Sequence, residues 1–287
     1  MRRLRCLVLL AFAAIGCVHP ILRPRDGLTT MKQATRTVPT NGEVQVAIAS
    51  RLLDQPAGSD YFARGLWRDT SSPLSHELTT LLAINGIRIG VIGGTRPAEF
   101  QTLMTSESCV LNPMIRTTSL GRPRVLPVNG PLNCEVEIVR QLNGDREGKV
   151  FGAAECGLQI TPTAAPGGRL KLACELQIQH GERQLYLAPT ADGSGFARKD
   201  HRPTEPFHTL NWEVTLDRDE ILVVGAGDEP MGRLGQAYFF AAGNDRTRQR
   251  VLVVQAVANA EDIGEAPTKK PSMAPAAQAG TLLIRKD

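Results

Sequence analysis

The residues of this chain whose types could do chemistry are six cysteines, five histidines and a few clustered acids, and their spacing decides which chemistry is open. Cys6 and Cys17 lie near the start, whereas Cys109, Cys134, Cys156 and Cys174 lie in the body. The spacings of those four are too wide and irregular for CxxC metal knuckles, and no histidine stands beside them in zinc-like register. An even set suits disulfides instead, with three connectivities open to four cysteines. His201 and His208 bracket a stretch with two prolines, Pro203 and Pro206, which predicts a loop in preference to a metal site. Asp217, Asp219 and Glu220 bunch in a short polar stretch and read as solvated turn acids ahead of a calcium loop. Residues 89–94 (IGVIGG) lack GxGxxG spacing and a following acid, so a strand running into a tight turn is expected there, not a dinucleotide loop. Asp192-Gly193-Ser194-Gly195 misses the GxSxG elbow, since position 196 is Phe, and reads as a flexible loop. Tyr61, Trp67 and Trp212 could stack on sugars or fill cores, and both readings stay open. No catalytic residue, metal ligand or cofactor is assigned.

The elements that would position these residues differ between the two halves. Residues 42–49 alternate with Val44, Val46 and Ile48 on one face, which predicts a strand. Ser72-Pro73 reads as the start of a helix, with Ser as N-cap and Pro at the first helical position; Leu74, Leu78, Leu81 and Leu82 follow at helical spacing, and Asn85-Gly86 supplies a left-handed stop. A strand at 87–92 and a helix at 97–105 complete a β-α-β-α order. From about Val125 the texture becomes alternating: Cys134, Val136 and Ile138; Cys156, Leu158 and Ile160; and Leu170, Leu172, Cys174, Leu176 and Ile178 each occupy one phase of a strand, the signature of antiparallel strands with one wet face. Further strands are expected at 209–216, 220–224 and 250–256. The expected fold is α+β: a small β-α-β-α domain over 42–120 followed by a predominantly antiparallel β domain over 125–258. Residues 259–287 form an Ala/Pro-rich tail expected to be disordered.

Ala165-Pro166-Gly167-Gly168 reads as a hairpin turn. With the turn centred near residue 165, Cys156 and Cys174 face each other across the hairpin, and a disulfide is possible there. The alternative is that both are small core hydrophobes, because free cysteine is among the most buried residue types. Neither reading makes them catalytic, since a reactive thiol needs an exposed, electropositive setting.

The first twenty residues hold Arg2, Arg3 and Arg5, an apolar run from Cys6 to Ile15, and Gly16-Cys17. A basic start, a short apolar run and small residues before a cut site are the signature of a secretory signal, and the run is too short to span a bilayer. Removing residues 1–16 takes three arginines away, so Lys+Arg falls from 33 to 30 against 29 acidic residues, a net charge of +1. The global charge therefore offers no case for nucleic acid as a partner. Ala14-Ile15-Gly16-Cys17 resembles the lipobox of bacterial lipoproteins, with Ala14 where the family usually has Leu. That resemblance implies that Cys17 is diacylated and becomes the mature N-terminus, and Val18 in place of Asp implies sorting to the outer membrane. An ordinary signal cut near Ala13 or Gly16 is the alternative. Residues 17–41, with three prolines and no sustained period, then read as anchor and tether.

Two stretches of the β-rich half resemble the C-terminal homology domain of secretins, the outer-membrane ring proteins of bacterial type II and type III secretion. The first is Phe151-Gly152 with Gly157-Leu158-Gln159-Ile160-Thr161-Pro162 and Gly168-Arg169-Leu170-Lys171-Leu172, similar to the secretin strand ending in V-T-P and its partner. The second runs from Val214 to Gly225 and is similar to the polar turn before a T-V-V-I-G-G strand; residues 232–239 and 249–255 resemble the L-G-x-L-F loop and the closing strand. The likeness covers about residues 150–257. The proline-rich segment of the family is reduced here to Glu229-Pro230-Met231, and there is little room for long membrane and gate hairpins. The resemblance thus implies a secretin-like fold without the pore.

The reading that follows is an exported, lipid-anchored cell-envelope protein of the outer membrane or periplasm. It acts by binding or assembly with protein partners or copies of itself, without catalysis. A module that binds cell-wall polysaccharide through Tyr61, Trp67 or Trp212 is the alternative, and a hydrolase is a more distant one.

Overall fold

Alternating and continuous apolar runs end in different places in the molecule, and this sorts the strands into layers. The computed structural model describes residues 44–190, 193, 195–228, 231–243 and 246–257. The expected signal, the anchor and tether at 17–41, Cys17 itself and the tail at 259–287 lie outside the described residues. In chain order the elements begin with β1 (Gln45–Pro56), a π-helical turn (Tyr61–Gly65) running into α1 (Leu66–Arg68), α2 (His76–Ile84), β2 (Ile87–Ile92), α3 (Ala98–Thr105) and β3 (Val110–Ser119). The long strands β4 (Arg124–Val139), β5 (Arg146–Ala165) and β6 (Arg169–Gln179) follow, then β7 (Gln184–Pro189), β8 (Phe196–His201) and β9 (Thr204–Pro206). The last elements are β10 (Trp212–Leu216), β11 (Ile221–Ala226), α4 (Leu234–Phe239), β12 (Phe240–Ala242) and β13 (Thr247–Ala256). The fold is α+β, with mostly antiparallel strands and short helices concentrated early in the chain.

One sheet has the order β2-β11-β13-β1-β3, with β12 added to β13; a second has the order β10-β6-β5-β4, with β9 added to β6; β7 and β8 pair only with each other. The first sheet is covered on both faces. Leu53, Ile92, Ile221, Val223, Val251 and Val253 pack against Tyr61, Phe62, Leu66, Trp67 and Phe100. On the other face Leu52, Leu222, Val224, Leu252 and Val254 join the core shared with Leu158, Leu172, Leu176 and Val214 of the second sheet. Double coverage explains why β11 and β13 read as near-continuous Ile/Leu/Val runs, whereas β6 alternates strictly.

The β-α-β-α order of residues 42–120 is present, yet β1 and β2 do not pair. Between them lie β11 and β13, so the expected small domain shares its sheet with the far end of the chain. The chain does pass from the first sheet to the second between β3 and β4, near residue 120, but it returns to the first sheet at β11, and residues 42–257 fall within one compact unit. The cause is physical: periodicity reports which face of a strand is buried and carries no information about which distant strand it pairs with.

The start of α2 also differs from expectation. Ser75, not Ser72, is the N-cap, its hydroxyl accepting from the Leu78 amide at 3.4 Å, and the helix begins at His76. The expected stop at Asn85-Gly86 stands, with Gly86 at φ 74°. Asn85 does more than end the helix. Fully buried, its Nδ2 donates to the carbonyls of Leu81 (2.9 Å) and Val139 (2.8 Å), and its Oδ1 accepts from the Val139 amide (2.9 Å). One side chain thus pairs with the outer edge of β4 as a neighbouring strand would. The Gly86 carbonyl accepts from the Gly227 amide at 2.8 Å, and a Cβ on Gly235 would lie only 1.7 Å from that same oxygen.

Candidate functional site

The residues singled out in the sequence are dispersed by the fold. Cys156 and Cys174 sit on the core-facing phase of β5 and β6 and are buried, but Cys156 pairs with Ile178 and Cys174 with Ile160. The facing of the two cysteines, on which the possible disulfide rested, is corrected. Ala165 pairs with Arg169 across Pro166–Gly168, so the hairpin is centred on residue 167 and the two sulfurs are set off along the strands. All four cysteines of the described residues are free thiols. Burial pushes the thiols of Cys156 and Cys174, and to a lesser extent that of Cys134, upward, away from the reactive thiolate.

Tyr61, Trp67 and Trp212 are all buried. The Trp67 Nε1 donates to the Phe62 carbonyl at 2.9 Å, Arg88 lies 5.0 Å over its ring, and a Cβ on Gly225 would come within 2.9 Å of it. These rings fill cores and present no platform to a sugar, which removes the stated basis of the polysaccharide-binding alternative. His208 pairs through Nδ1 with the Glu175 carboxylate, whereas His201 lies edge-on to Tyr186 at 6.5 Å, so the two histidines serve separate contacts. The acids at 217–220 close a turn: Glu220 Oε2 accepts from the Asp217 amide at 2.7 Å and the Glu220 amide donates to the Asp217 carbonyl at 3.2 Å. That turn carries the chain from β10 in one sheet to β11 in the other. Residues 89–94 run from β2 into a turn with Gly94 at φ 64°, and Gly90 faces Thr70, which a Cβ would meet at 2.5 Å. Asp192 and Ser194 lie outside the described residues. Among the described residues, no group of three or more His, Cys, Asp or Glu could hold a metal ion, and no helix is long and apolar enough to cross a membrane.

What the sequence reading missed is the ribbon of β7 and β8. Register places Leu187 opposite Arg198 and Pro189 opposite Phe196, so Leu185, Leu187 and Phe196 share one face. They are 56%, 68% and 71% exposed. At its tip the Thr190 amide donates to the Gly195 carbonyl at 2.9 Å and the Thr190 hydroxyl accepts from the Gly195 amide at 3.0 Å. At its root, Arg202 makes three contacts with two other segments: Nε donates to the Gly181 carbonyl at 3.2 Å, and on β5 Nη2 donates to the Ala153 carbonyl and Nη1 pairs with Glu155 Oε1 at 2.6 Å. The ribbon is therefore anchored at its base while Leu185, Leu187 and Phe196, on a face shared with Arg198, meet solvent. The signal was present in the sequence as Leu185-Tyr186-Leu187 before a Gly-containing turn.

No protein-family profile matches the chain, and no curated protein matches it. Among solved structures, the chain is similar to the InvG secretin domain β-barrel of the Salmonella SPI-1 injectisome, at 9% identity and a TM-score of 0.21, over 75% of this chain and 62% of that one. It is also similar to the type II secretin GspD of enteropathogenic Escherichia coli, at 11% identity and a TM-score of 0.18, over 76% of this chain and 68% of that one. The chain thus spans less than two thirds of the InvG domain.

Proposed function

We propose that this chain is an exported, lipid-anchored cell-envelope protein of secretin-like β architecture that works by docking on another protein or on a copy of itself, without catalysis. The observation that supports the docking role is the exposure of Leu185, Leu187 and Phe196 on one face of the β7–β8 ribbon, beside Arg198. A two-stranded ribbon standing alone is marginal in water, and large apolar side chains gathered on one face mark an interaction surface. Burying Leu185, Leu187 and Phe196 from their present exposures of 56%, 68% and 71% is worth about 3–6 kcal/mol in total. Export rests on the signal over residues 1–16 and the anchor on Cys17.

Two experiments test the two halves of this reading. Intact-mass analysis of the mature protein should find an acylated N-terminus at Cys17; a mature chain beginning elsewhere removes the anchor. A photo-crosslinking residue placed at Leu187 in living cells should give a discrete adduct with an envelope protein or a second copy, whereas one at exposed Glu182 should give none. Equal labelling at both positions, or none at 187, defeats the docking role.

A further inference from the structure

Two bulges face each other across the gap between the sheets. In β3 the pairing with β1 slips between Ser50 and Leu52, so that Asn112 and Pro113 together stand opposite Arg51, with Asn112 at φ 46°. In β4 the pairing with β5 slips at each step from Pro127 to Cys134. Bulges re-aim side chains and interrupt ladders, and between these two lies a cavity of about 340 Å³. That volume falls at the small end of ligand sites.

The polar groups lining it are held in place from behind. Arg250 lies over the wall with its Nε on Asp54 Oδ1 at 3.3 Å and its Nη1 on Asn129 Oδ1 at 2.9 Å. Asn129 is itself fixed, its Nδ2 donating to the carbonyls of Ala237 (2.8 Å) and Phe240 (2.7 Å). Asp54 is shared with Arg248, whose Nε lies 2.7 Å from Oδ2, so one carboxylate serves two guanidinium groups and positive charge is left over. Nε and Nη1 are engaged, and among the described residues the Nη2 end of Arg250 remains for an occupant. A guanidinium pre-oriented in this way matches a carboxylate. Glu155 also lines the cavity, its Oε1 taken by Arg202 and its Oε2 left over. The amides of Asn112, Gln177 and Gln179 complete the polar lining and discriminate against neither sign of charge.

The geometry points to a binding site for a small zwitterion, an α-amino acid or a dipeptide, with its carboxylate on Arg250 and its ammonium group on Glu155. A simple cation meets the surplus charge of Arg248 and Arg250, whereas a molecule with both charges sets its carboxylate on Arg250 and its ammonium group on the Glu155 oxygen that Arg202 does not hold. The site does not rest on the docking face of the ribbon, although Glu155 also holds Arg202 at the ribbon's root.

Calorimetric titration of the full mature chain with dialanine, its N-acetyl derivative and its C-terminal amide tests the assignment. Dialanine should bind one to one, and blocking either end should weaken binding tenfold or more. Glu155→Gln should abolish the preference for dialanine over the N-acetyl form, and Arg250→Gln the preference over the amide. Because Arg250 also holds Asp54, a melting curve accompanies each variant, and Glu155→Gln alone decides if Arg250→Gln fails to fold. No heat from any probe up to about 10 mM overturns the site. Equal binding of all three probes overturns the zwitterion, and preferences unchanged in Glu155→Gln overturn the location.

Discussion

Replacing Asn85 by alanine removes a side chain that stands in for a strand. Its amide makes three hydrogen bonds, at 2.8, 2.9 and 2.9 Å, two of them to the amide and carbonyl of buried Val139 on the outer edge of β4. Each bond is worth about 1 kcal/mol net, and a buried backbone group left without a partner costs about 1–3 kcal/mol. Water reaching the vacated volume would offset part of that loss, so the expected destabilisation is about 3–5 kcal/mol. In urea, with a slope of about 2–3 kcal/mol per molar for a chain of this size, the midpoint should fall by about 1–2 M. An unchanged slope would show that the native state has kept its compactness. Asn85→Asp should be no better: it loses the Nδ2 donor and sets a carboxylate against the carbonyls of Leu81 and Val139. Asn211→Ala, at an exposed position where the amide donates to Glu175 at 3.3 Å, should shift the midpoint little. A loss below about 1 kcal/mol for Asn85→Ala would refute the claim that this amide closes the edge of β4.

Further outcomes follow from the same geometry. Gly235→Ala would place a Cβ 1.7 Å from the Gly86 carbonyl oxygen and should abolish soluble folded protein, read by yield and by melting. In the native protein Cys109 and Cys134, both part-exposed, should react with a thiol reagent well before buried Cys156 and Cys174, which should become available on unfolding; a Cys156–Cys174 disulfide in a peptide map would overturn the hairpin register. Glu205 is held below the usual carboxylate range first by its bond from Lys149 and then by that from Arg140, against a desolvation that raises it. A depressed folded-state value adds stability above the unfolded value of about 4.3, and that stability is lost as pH falls through the folded value, so Glu205→Gln should flatten the acid limb of a stability profile. Purified protein added to planar bilayers should give no steady conductance, and a large one would restore the pore for whose membrane and gate hairpins the sequence leaves little room.

The faces of the strands were legible and their partners were not. Leu170, Leu172, Cys174, Leu176 and Ile178 are all buried, as strict alternation on β6 requires, and the turn at 166–168 stands where Pro and Gly put it. The register was harder, because a shift in the assumed turn centre from 167 to 165 leaves every side chain on its proper face while moving Cys174 from Ile160 toward Cys156. Pairing of β1 with β13 and of β2 with β11 joins segments some 130–200 residues apart, and no local pattern encodes such partners. Asn85 was readable as a helix stop, but its bonds to Val139, 54 residues away, were not.

The prolines mark where local reading and tertiary structure part company most usefully. Pro113, Pro127 and Pro131 each argue against a regular strand, since proline cannot donate to a ladder, and no strand is assigned from the sequence between residues 110 and 133. In the fold all three lie within β3 and β4, at or beside the slips in pairing, where a missing donor costs least. The same slips open the space that Arg250 and Glu155 line. A sequence feature that weakened the strand assignment is therefore the one that shapes the cavity. A chain of this fold with regular β3 and β4 would close it. Filling the bulge by deleting Asn112 should restore continuous pairing with β1 and abolish dialanine binding. If binding survives that deletion in a folded protein, the cavity owes nothing to the bulges and the argument from them fails.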